Sequence, residues 1–207
     1  MKYVADELQK RAKLIYDNAK GSGPERMAAC SDDNTLSLWK PEESNKPVCS
    51  RMQGHQNVVN DVRFSPDGLL LASASFDRSV KIWDGMTGKF LVSLNGHVND
   101  VYCISWSSDS RLLVSCSKDS TIQLWTMAQI RGLLTPIDKL KEDKSFQKKI
   151  TAPNCKRVRI SHLQESLPGH ADAVYALDWS PDGLTVASGG KDGLVKLLVY
   201  PLLSDIY

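Results

Sequence analysis

One spacing recurs along this chain and constrains its fold more than any other feature. Gly-His dipeptides occur at residues 54–55, 96–97 and 169–170, and each begins the same series of residues. Counting from the histidine, a serine follows at 18 positions, an aspartate at 22 and, in two of the copies, a tryptophan at 28. The members are His55, Ser73, Asp77 and Trp83; His97, Ser115, Asp119 and Trp125; and His170, Ser188 and Asp192. Copies that keep one register indicate a repeat fold.

Each copy consists of short apolar or alternating segments separated by turn residues. In the first copy these segments are residues 58–64, 69–75, 79–83 and 90–94. Ser-Pro-Asp-Gly at residues 65–68 separates the first two segments, and such residues favour tight turns. The pattern predicts four short antiparallel strands per copy, which we label a to d from the inner strand outward.

A partial copy precedes the three complete ones. Trp39 lies six residues after Asp33, which is the spacing between the aspartate and the tryptophan of the later copies. The serine position of this copy holds Ala29, and its histidine position holds Arg11. The partial copy therefore lacks two members of the repeated series.

A repeat of about 40–45 residues, with Gly-His early and Trp-Asp late, is similar to the WD repeat of β-propeller proteins. The first two histidines are 42 residues apart, and Trp83-Asp84 supplies the dipeptide for which the repeat is named. The resemblance implies an all-β fold of WD-repeat propeller blades, three complete and one partial, forming a portion of a larger propeller. It also implies a structural tetrad in each blade, in which the histidine donates to the aspartate, the serine contacts the histidine and the tryptophan indole donates to the serine.

The same residue types suggest a second interpretation, a Ser-His-Asp hydrolase triad. An enzyme has no use for three copies of one nucleophile, and the sequence contains no Gly-x-Ser-x-Gly segment. The five cysteines lack the C-x-x-C spacing of zinc sites, and their odd number does not indicate a disulfide framework. We therefore predict no catalytic residue, no metal ion and no cofactor.

Residues 1–20 form the first unit of the predicted organisation. Their apolar residues recur at spacings of four and three, at Val4, Leu8, Ala12, Ile15 and Ala19. This pattern predicts an amphipathic helix. We expect the helix to dock on the edge of the propeller, and a free helix that binds a partner is the alternative.

Residues 21–207 form the second unit, the propeller blades, which an insertion at 126–157 interrupts between strands c and d of the third blade. The insertion explains why 73 residues separate the second and third histidines. Its latter part and its exit are basic, with Lys139, Lys141, Lys144, Lys148, Lys149, Lys156, Arg157 and Arg159. Two interpretations stay open, a solvated excursion of the chain or a contact with RNA or an acidic partner.

The last copy departs from the pattern at one position. Leu198 stands where the two preceding copies have a tryptophan. Ser188 then lacks an indole donor, and the blade lacks a large buried aromatic residue. We predict that this blade is the least stable of the complete ones.

The charge balance indicates that any contact with nucleic acid must be local. Lys and Arg number 26 against 24 Asp and Glu, so the formal net charge of +2 gives no global attraction to nucleic acid or to an anionic membrane. No apolar run approaches the roughly 20 residues that span a bilayer. We expect an intracellular protein with reduced thiols, no membrane contact and no small-molecule substrate.

Longer segments resemble one group of WD-repeat proteins, the Notchless family of large-ribosomal-subunit assembly factors. The segments that carry the likeness are residues 23–26, 31–33, 38–39, 72–77, 80–85, 107–115, 167–172 and 187–192. The resemblance implies a non-catalytic protein-interaction scaffold in assembly of the large (60S) ribosomal subunit. It implies a location in the nucleus and nucleolus, with the cytoplasm as an alternative, and partners among pre-ribosomal proteins, with rRNA as a further candidate.

The resemblance leaves some properties of the family unassigned. Family members carry a ubiquitin-like domain that engages the ATPase midasin, and no counterpart is expected in these residues, so the midasin contact is not carried over. Three other interpretations stay open. They are a generic WD-repeat adaptor such as the substrate-recognition module of a ubiquitin ligase, a regulator of the Notch pathway, and a non-functional truncated product.

Antiparallel strands bring the b–c turns and the d–a loops to one face of every blade, which we call the loop face. Loops on a rigid scaffold carry binding residues more often than the scaffold itself does. The residues predicted to contact partners on this face are Asn57, Phe76, Arg78, Asn99, Asp100, Lys118, Asp172 and Lys191. Phe76 and Arg78 are the leading candidates, because aromatic residues and arginine are enriched at interface hot spots.

Overall fold

The computed structural model describes residues 2–20, 25–41, 48–131, 163–167 and 169–199. These ranges contain the helices α1 (Lys2–Lys20) and α2 (Ala128–Arg131). The strands, in chain order, are β1 (Met27–Cys30), β2 (Thr35–Lys40), β3 (Val48–Gln53), β4 (Val59–Phe64), β5 (Leu70–Ser75), β6 (Ser79–Asp84), β7 (Phe90–Asn95), β8 (Val101–Trp106), β9 (Leu112–Ser117), β10 (Ile122–Thr126), β11 (Leu163–Leu167), β12 (Val174–Trp179), β13 (Thr185–Gly190) and β14 (Val195–Val199).

The strands form four antiparallel sheets in which neighbours in the chain pair with each other. Sheet 1 contains β1 to β3, sheet 2 contains β4 to β7, sheet 3 contains β8 to β11, and sheet 4 contains β12 to β14. Sheets 2 and 3 have strands a to d. Sheet 4 has strands a, b and c, whereas sheet 1 has b, c and d, because β2 carries Trp39 at the strand-c tryptophan position. The predicted all-β fold of propeller-like blades is confirmed.

The turns between strands a and b share one arrangement. The Ser65 hydroxyl donates to the Asp67 carboxylate at 2.7 Å and accepts from the Leu70 backbone N–H at 3.0 Å. Gly68 completes this turn with φ of +65°, a conformation that glycine adopts at little cost. The same Ser-to-Asp hydrogen bond recurs at Ser107–Asp109 and Ser180–Asp182. The side chains of the repeat therefore close the a–b hairpins of sheets 2, 3 and 4 locally.

Apolar side chains fill the spaces between successive sheets. Each cluster joins strands b and c of one sheet to the next sheet along the chain. Leu36 and Leu38 of sheet 1 pack with Trp83 of sheet 2, and Ile82 of sheet 2 packs with Trp125 of sheet 3. The core is thus a row of inter-sheet layers, and a sheet is covered on both faces only where it has two neighbours.

Helix α1 docks on the face opposite the loop face, where the a–b and c–d turns lie. Ala12 is buried, and a cleft of about 370 Å³ between the helix and the sheets is lined by Tyr16, Pro66, Trp106 and Trp179, among others. The helix therefore contacts the a–b turns of three sheets instead of the propeller edge that we expected. The reason is that prolines and the tryptophans ending strand a give these turns an apolar surface. The described residues include no helix with the length and apolar character needed to cross a membrane.

Arg26, just before β1, links the helix to the sheets. Its guanidinium lies 5.6 Å from the ring centre of Tyr16 and 5.5 Å from that of Phe64, and it donates to the backbone carbonyls of Gly68 and Gly85. Cation–π contacts of this kind are worth about 0.5–2 kcal/mol, depending on their exposure. One side chain thus fastens α1 to the turns of sheet 2.

Of the predicted insertion at 126–157, residues 126–131 are described. Thr126 ends β10, and α2 follows it. Arg131 at the end of α2 donates to the Ser110 carbonyl at 2.6 Å and pairs with Asp67, whose side chain is 1% exposed. This ion pair connects sheet 3 to the a–b turn of sheet 2. The basic residues that follow lie outside the described residues.

Candidate functional site

In sheet 2, the structure brings the repeated residues of the first copy into one hydrogen-bonded chain. The Trp83 indole N–H donates to the Ser73 hydroxyl at 2.9 Å, and His55 Nε2 lies 2.7 Å from the same oxygen. His55 Nδ1 lies 2.8 Å from an Asp77 carboxylate oxygen. If the hydroxyl accepts from the indole and donates to Nε2, then Nδ1 carries the proton that binds the carboxylate. Each donor in this series then has an acceptor, so none of the four side chains is left unpaired.

The second copy repeats this geometry in sheet 3. His97 Nε2 lies 2.8 Å from the Ser115 hydroxyl, and its Nδ1 lies 2.9 Å from Asp119. The Trp125 indole N–H donates to Ser115 at 2.8 Å. The spacing of the repeat therefore fixes the same contacts in two sheets.

The third copy, in sheet 4, contains three of the four residues. His170 Nδ1 lies 2.8 Å from Asp192, and its Nε2 lies 2.9 Å from Ser188. Leu198 occupies the tryptophan position, directly opposite Val186 in the sheet, and offers Ser188 no N–H. The histidine contacts thus form without the indole.

In the partial copy, Asp33 accepts from the Thr35 backbone N–H and hydroxyl and pairs with Arg51 at the surface. Arg11, at the histidine position, lies in α1. The described residues of sheet 1 therefore form a local turn in place of a tetrad.

The tetrad aspartates are held as carboxylates. Burial alone would raise the pKa of Asp77, but hydrogen bonds from His55, Ser79 and the Gln56 backbone N–H outweigh burial and lower it far below the usual value. The pKa of Asp119 is also strongly lowered, because hydrogen bonds to its carboxylate outweigh the effect of burial. For Asp192 the opposing contributions lower the pKa to about 2. These groups consequently stay ionised across the physiological range.

The buried position of the serines decides what the tetrads can do chemically. The Ser73 and Ser115 side chains are fully buried, and Ser188 is 2% exposed. A nucleophile must reach a substrate carbonyl, and a hydroxyl buried inside the sheets cannot. The hydrogen bonds instead tie strands b and c to the d–a loop and the b–c turn of the same sheet.

All of the predicted contact residues lie in the d–a loops and b–c turns, on the loop face. Asn57 and Asn99 cap the start of strand a, because their side-chain oxygens accept from the backbone N–H of the next residue. Arg78 is exposed, and its φ of +69° sets the tight b–c turn. Phe76 is half-buried and stands edge-on to Tyr102, with ring centres 5.5 Å apart.

The remaining predicted residues pair with one another on the surface. Lys118 lies 3.6 Å from Asp100, and Lys191 lies 3.4 Å from Asp172. Both lysines are more than half exposed. Surface ion pairs of this kind contribute about 0–1 kcal/mol to the free energy of unfolding. Each of the four side chains can therefore leave its present partner and pair with a charge on a bound protein.

The prediction missed two aromatic residues on this face. Tyr102 contacts both Phe76 and Tyr175, and its ring centre lies 5.0 Å from that of Tyr175. Phe76, Tyr102 and Tyr175 thus form a continuous row across sheets 2, 3 and 4, which we call the aromatic row. Tyr175 is 49% exposed.

A backbone irregularity places these tyrosines. The register of strands a and b shifts between Val101 and Cys103 and again between Val174 and Ala176, leaving Tyr102 and Tyr175 unpaired in the ladder. A β-bulge redirects the side chain of the extra residue. Both tyrosines lie five positions after the histidine of their copy, where the first copy has Asn60. Aligning the copies at this position could have found them.

Comparison with known families supports this geometry. A family model described as "WD domain, G-beta repeat" matches residues 45–84, 88–126 and 161–197, which is more than half of the chain. The chain belongs to the WD-repeat family. Each match begins near strand d of one sheet and ends with strand c of the next, so a sequence repeat bridges two sheets.

Among individual relatives, the chain is 48% identical over 89 residues to the Notchless protein homolog of Arabidopsis thaliana, covering 43% of this chain and 19% of that protein. It is 49% identical over 89 residues to Ribosome assembly protein 4 of Saccharomyces cerevisiae, covering 42% and 17%. The chain thus spans less than a fifth of the length of these curated relatives. The chain is a WD-repeat protein similar to Notchless and to ribosome assembly proteins.

A shorter similarity is more general. The nuclear distribution protein nudF of Aspergillus flavus is 45% identical over 62 residues, covering 30% of this chain and 13% of that protein. Part of the identity is therefore common to WD repeats as such.

Proposed function

We propose that this chain is a non-catalytic scaffold in assembly of the large ribosomal subunit, acting in the nucleus and nucleolus on pre-ribosomal proteins. The observation that carries the proposal is the pair of 89-residue similarities, at 48% and 49% identity, to a Notchless homolog and to Ribosome assembly protein 4. The same proposal includes a contact with rRNA, and a contact of the basic insertion with RNA or an acidic partner.

The tetrads support the non-catalytic part of this proposal. Their serines are buried, and Ser73 and Ser115 are hydrogen-bonded on both sides. Among the described residues, no group of three or more His, Cys, Asp or Glu side chains is arranged to hold a metal ion. The side chains that would be chemically reactive are used to hold the sheets, and the exposed loops are left to bind.

The loop face is the contact surface that the geometry favours. The aromatic row runs across three sheets and places Tyr175 in solvent, while Arg78 projects from the b–c turn beside Phe76. Tyrosine loses little conformational entropy on binding for the contact area that it supplies, and both tyrosine and arginine are enriched at measured hot spots. The exchangeable pairs Lys118–Asp100 and Lys191–Asp172 would supply the polar rim.

Sedimentation through a sucrose gradient tests the proposal. The tagged chain should migrate with pre-large-subunit particles, and Arg78→Glu or Tyr175→Ala should shift it toward the top. Lys89→Glu is the matched control, because Lys89 is exposed in a c–d turn on the opposite face. A chain that stays at the top of the gradient and copurifies with a ubiquitin ligase would contradict the assembly role and support the adaptor interpretation.

A further inference from the structure

The clefts between helix α1 and the a–b turns contain an unexplained set of hydrogen-bond donors. In the described part of the chain, the buried side-chain polar atoms that lack a hydrogen-bond partner are Arg26 Nε, Ser108 Oγ, Gln123 Oε1 and Trp179 Nε1. All of these except Gln123 belong to residues that line the clefts, and each of the three can donate a hydrogen. Buried polar groups are rarely left unpaired in proteins. An acceptor that comes from outside the described residues would satisfy them.

Trp179 shows that the repeat itself does not cause this open donor. Trp106 and Trp179 both lie nine positions after the histidine of their copy. The Trp106 indole N–H donates to the Arg63 carbonyl of the preceding sheet at 3.1 Å. Trp179 is 7% exposed, and its indole N–H has no acceptor among the described residues. The unpaired donor is therefore a property of the cleft that Trp179 lines.

The two clefts meet and form one surface, which we call the helix groove. The first cleft has a volume of about 370 Å³ and is lined by Ser108 and Trp179, among others. The second has a volume of about 200 Å³ and is lined by Arg26, among others. Tyr16 of α1 and Pro66 of the first a–b turn line both clefts. Aromatic rings and prolines provide most of the apolar lining of the helix groove.

The charge of the helix groove has one sign. The charged residues that line it are Lys13, which is exposed on α1, and Arg26, which is half-buried. Both are basic, and their nitrogens donate hydrogen bonds and accept none. An occupant that complements this surface has to supply acceptors and negative charge.

We propose that the helix groove binds a proline-rich segment of a partner protein, in the polyproline II conformation and with an acidic residue. The Trp179 indole and the Ser108 hydroxyl donate to carbonyls of the segment, and the acidic residue pairs with Lys13 or Arg26. This surface lies opposite the loop face, so the proposal does not depend on the role in ribosome assembly.

Proline suits a groove with unpaired donors for a simple reason. It has a backbone carbonyl that accepts but no backbone N–H that would need an acceptor. The carbonyls of a polyproline II helix make no internal hydrogen bonds, so they are available to the groove. Proline-rich segments in this conformation bind grooves lined by aromatic side chains. Apolar contact and hydrogen bonding therefore favour the same occupant.

Heteronuclear NMR of the indole N–H groups tests the proposal on the full 207-residue chain. The probe is an acetylated peptide of about ten residues, all proline except for one central aspartate. The Trp179 signal should move downfield as its N–H gains an acceptor. The signals of Trp83 and Trp125 should not move, because their N–H groups are already bonded to serines. A glycine–serine peptide of the same length with the same aspartate should move none of them.

A matched pair of substitutions isolates the hydrogen bond. Trp179→Phe removes the open N–H and keeps an aromatic ring, so the affinity for the probe in isothermal titration calorimetry should fall at least about tenfold. Trp106→Phe makes the same change at the same position of sheet 3, where the N–H is already bonded to Arg63. It should weaken binding less than about threefold. Circular dichroism checks that each variant is folded.

A second pair tests the charge and does not alter the core. Lys13→Glu should weaken binding of the probe at least about threefold, because it opposes the aspartate. Lys10→Glu is the control, since Lys10 is exposed on α1 but is not among the residues that line the helix groove. Ser108→Ala should weaken binding without a change of charge. These variants decide the question if a phenylalanine variant does not fold.

Several results would overturn the proposal. A Trp179 signal that does not move at probe concentrations up to about 1 mM would do so. Equal losses for Trp179→Phe and Trp106→Phe would show that ring size and not the open donor matters. Binding of the glycine–serine peptide with equal affinity would exclude proline as the recognised residue. Equal effects of Lys13→Glu and Lys10→Glu would exclude the acidic contact.

Discussion

Sheets 3 and 4 have the same histidine, serine and aspartate at the same spacing, but they differ in burial. The histidine distances agree within 0.1 Å, at 2.8 and 2.9 Å in both sheets. By contrast Leu124 is fully buried in sheet 3, and its equivalent Leu197 is 69% exposed in sheet 4. The tetrad hydrogen bonds of a blade are therefore internal to it, whereas the burial of its strand c depends on the neighbouring sheet.

Sheet 1 completes the comparison from the other end. It has a strand-c tryptophan, Trp39, but Ala29 at the serine position, and no sheet of the described residues packs behind it. Sheet 4 has the serine but no tryptophan. Each end sheet thus lacks a different part of what makes the inner sheets stable.

The largest effect should separate an inner tryptophan from the end one. Trp125→Ala removes a fully enclosed side chain and leaves Ser115 without its donor, so the free energy of unfolding should fall by about 3–5 kcal/mol. Trp39→Ala should cost about 1–2 kcal/mol, since Trp39 is already 41% exposed. Urea denaturation measures both. Equal losses would contradict the difference between inner and end sheets.

A smaller effect should appear on acidification. The pKa values of Asp119 and Asp192 are lowered in the folded chain, so the native state binds fewer protons than the unfolded state. Their contribution is full above about pH 5 and is lost as the pH falls through 4 toward the folded pKa. Asp119→Asn and Asp192→Asn should each flatten the pH dependence of the unfolding free energy, because each removes a carboxyl whose pKa is lowered in the folded chain.

Urea titrations between pH 6 and pH 3 would check this acid dependence. Asp100→Asn is the control, since Asp100 makes an exposed pair with Lys118. A wild-type chain whose stability does not change over this range would refute the assigned role of the tetrad carboxylates.

The smallest effect should come from repairing sheet 4. Leu198→Trp supplies Ser188 with the indole donor that Ser73 and Ser115 have, and should stabilise the sheet by about 0.5–1.5 kcal/mol. Leu198→Phe is the matched control, with an aromatic ring but no N–H. Hydrogen exchange of the β13 amides should slow in the tryptophan variant alone. If both variants behave alike, ring size and not the hydrogen bond accounts for any gain.

Much of the fold follows from the sequence because its determinants are local. The alternation in residues 58–64 and 69–75 and the turn at 65–68 predicted strands β4 and β5 within one residue. The fixed spacing of His, Ser and Asp also indicated which side chains lie together in each copy. Strand spacing and turn chemistry act over a few residues, so they can be read from the chain directly.

Other parts of the site could not be predicted from the sequence. Tyr102 reaches Phe76 and Tyr175 reaches Tyr102 because of a register shift in each strand a, and a period-two pattern does not reveal the extra residue. Arg131 contacts Asp67 across 64 residues. The helix was predicted from its apolar period, but the turns that it contacts come from three different sheets.

The order of residues alone determined the blades, their turns and the tetrads, because each of these depends on partners within about 30 positions of the same copy. Only the tertiary structure decided which blade faces are covered, where α1 lies and which aromatic side chains meet on the loop face. Those features depend on packing between sheets, and a side chain such as Leu197 has the same chemical character whether or not a neighbouring surface exists to bury it.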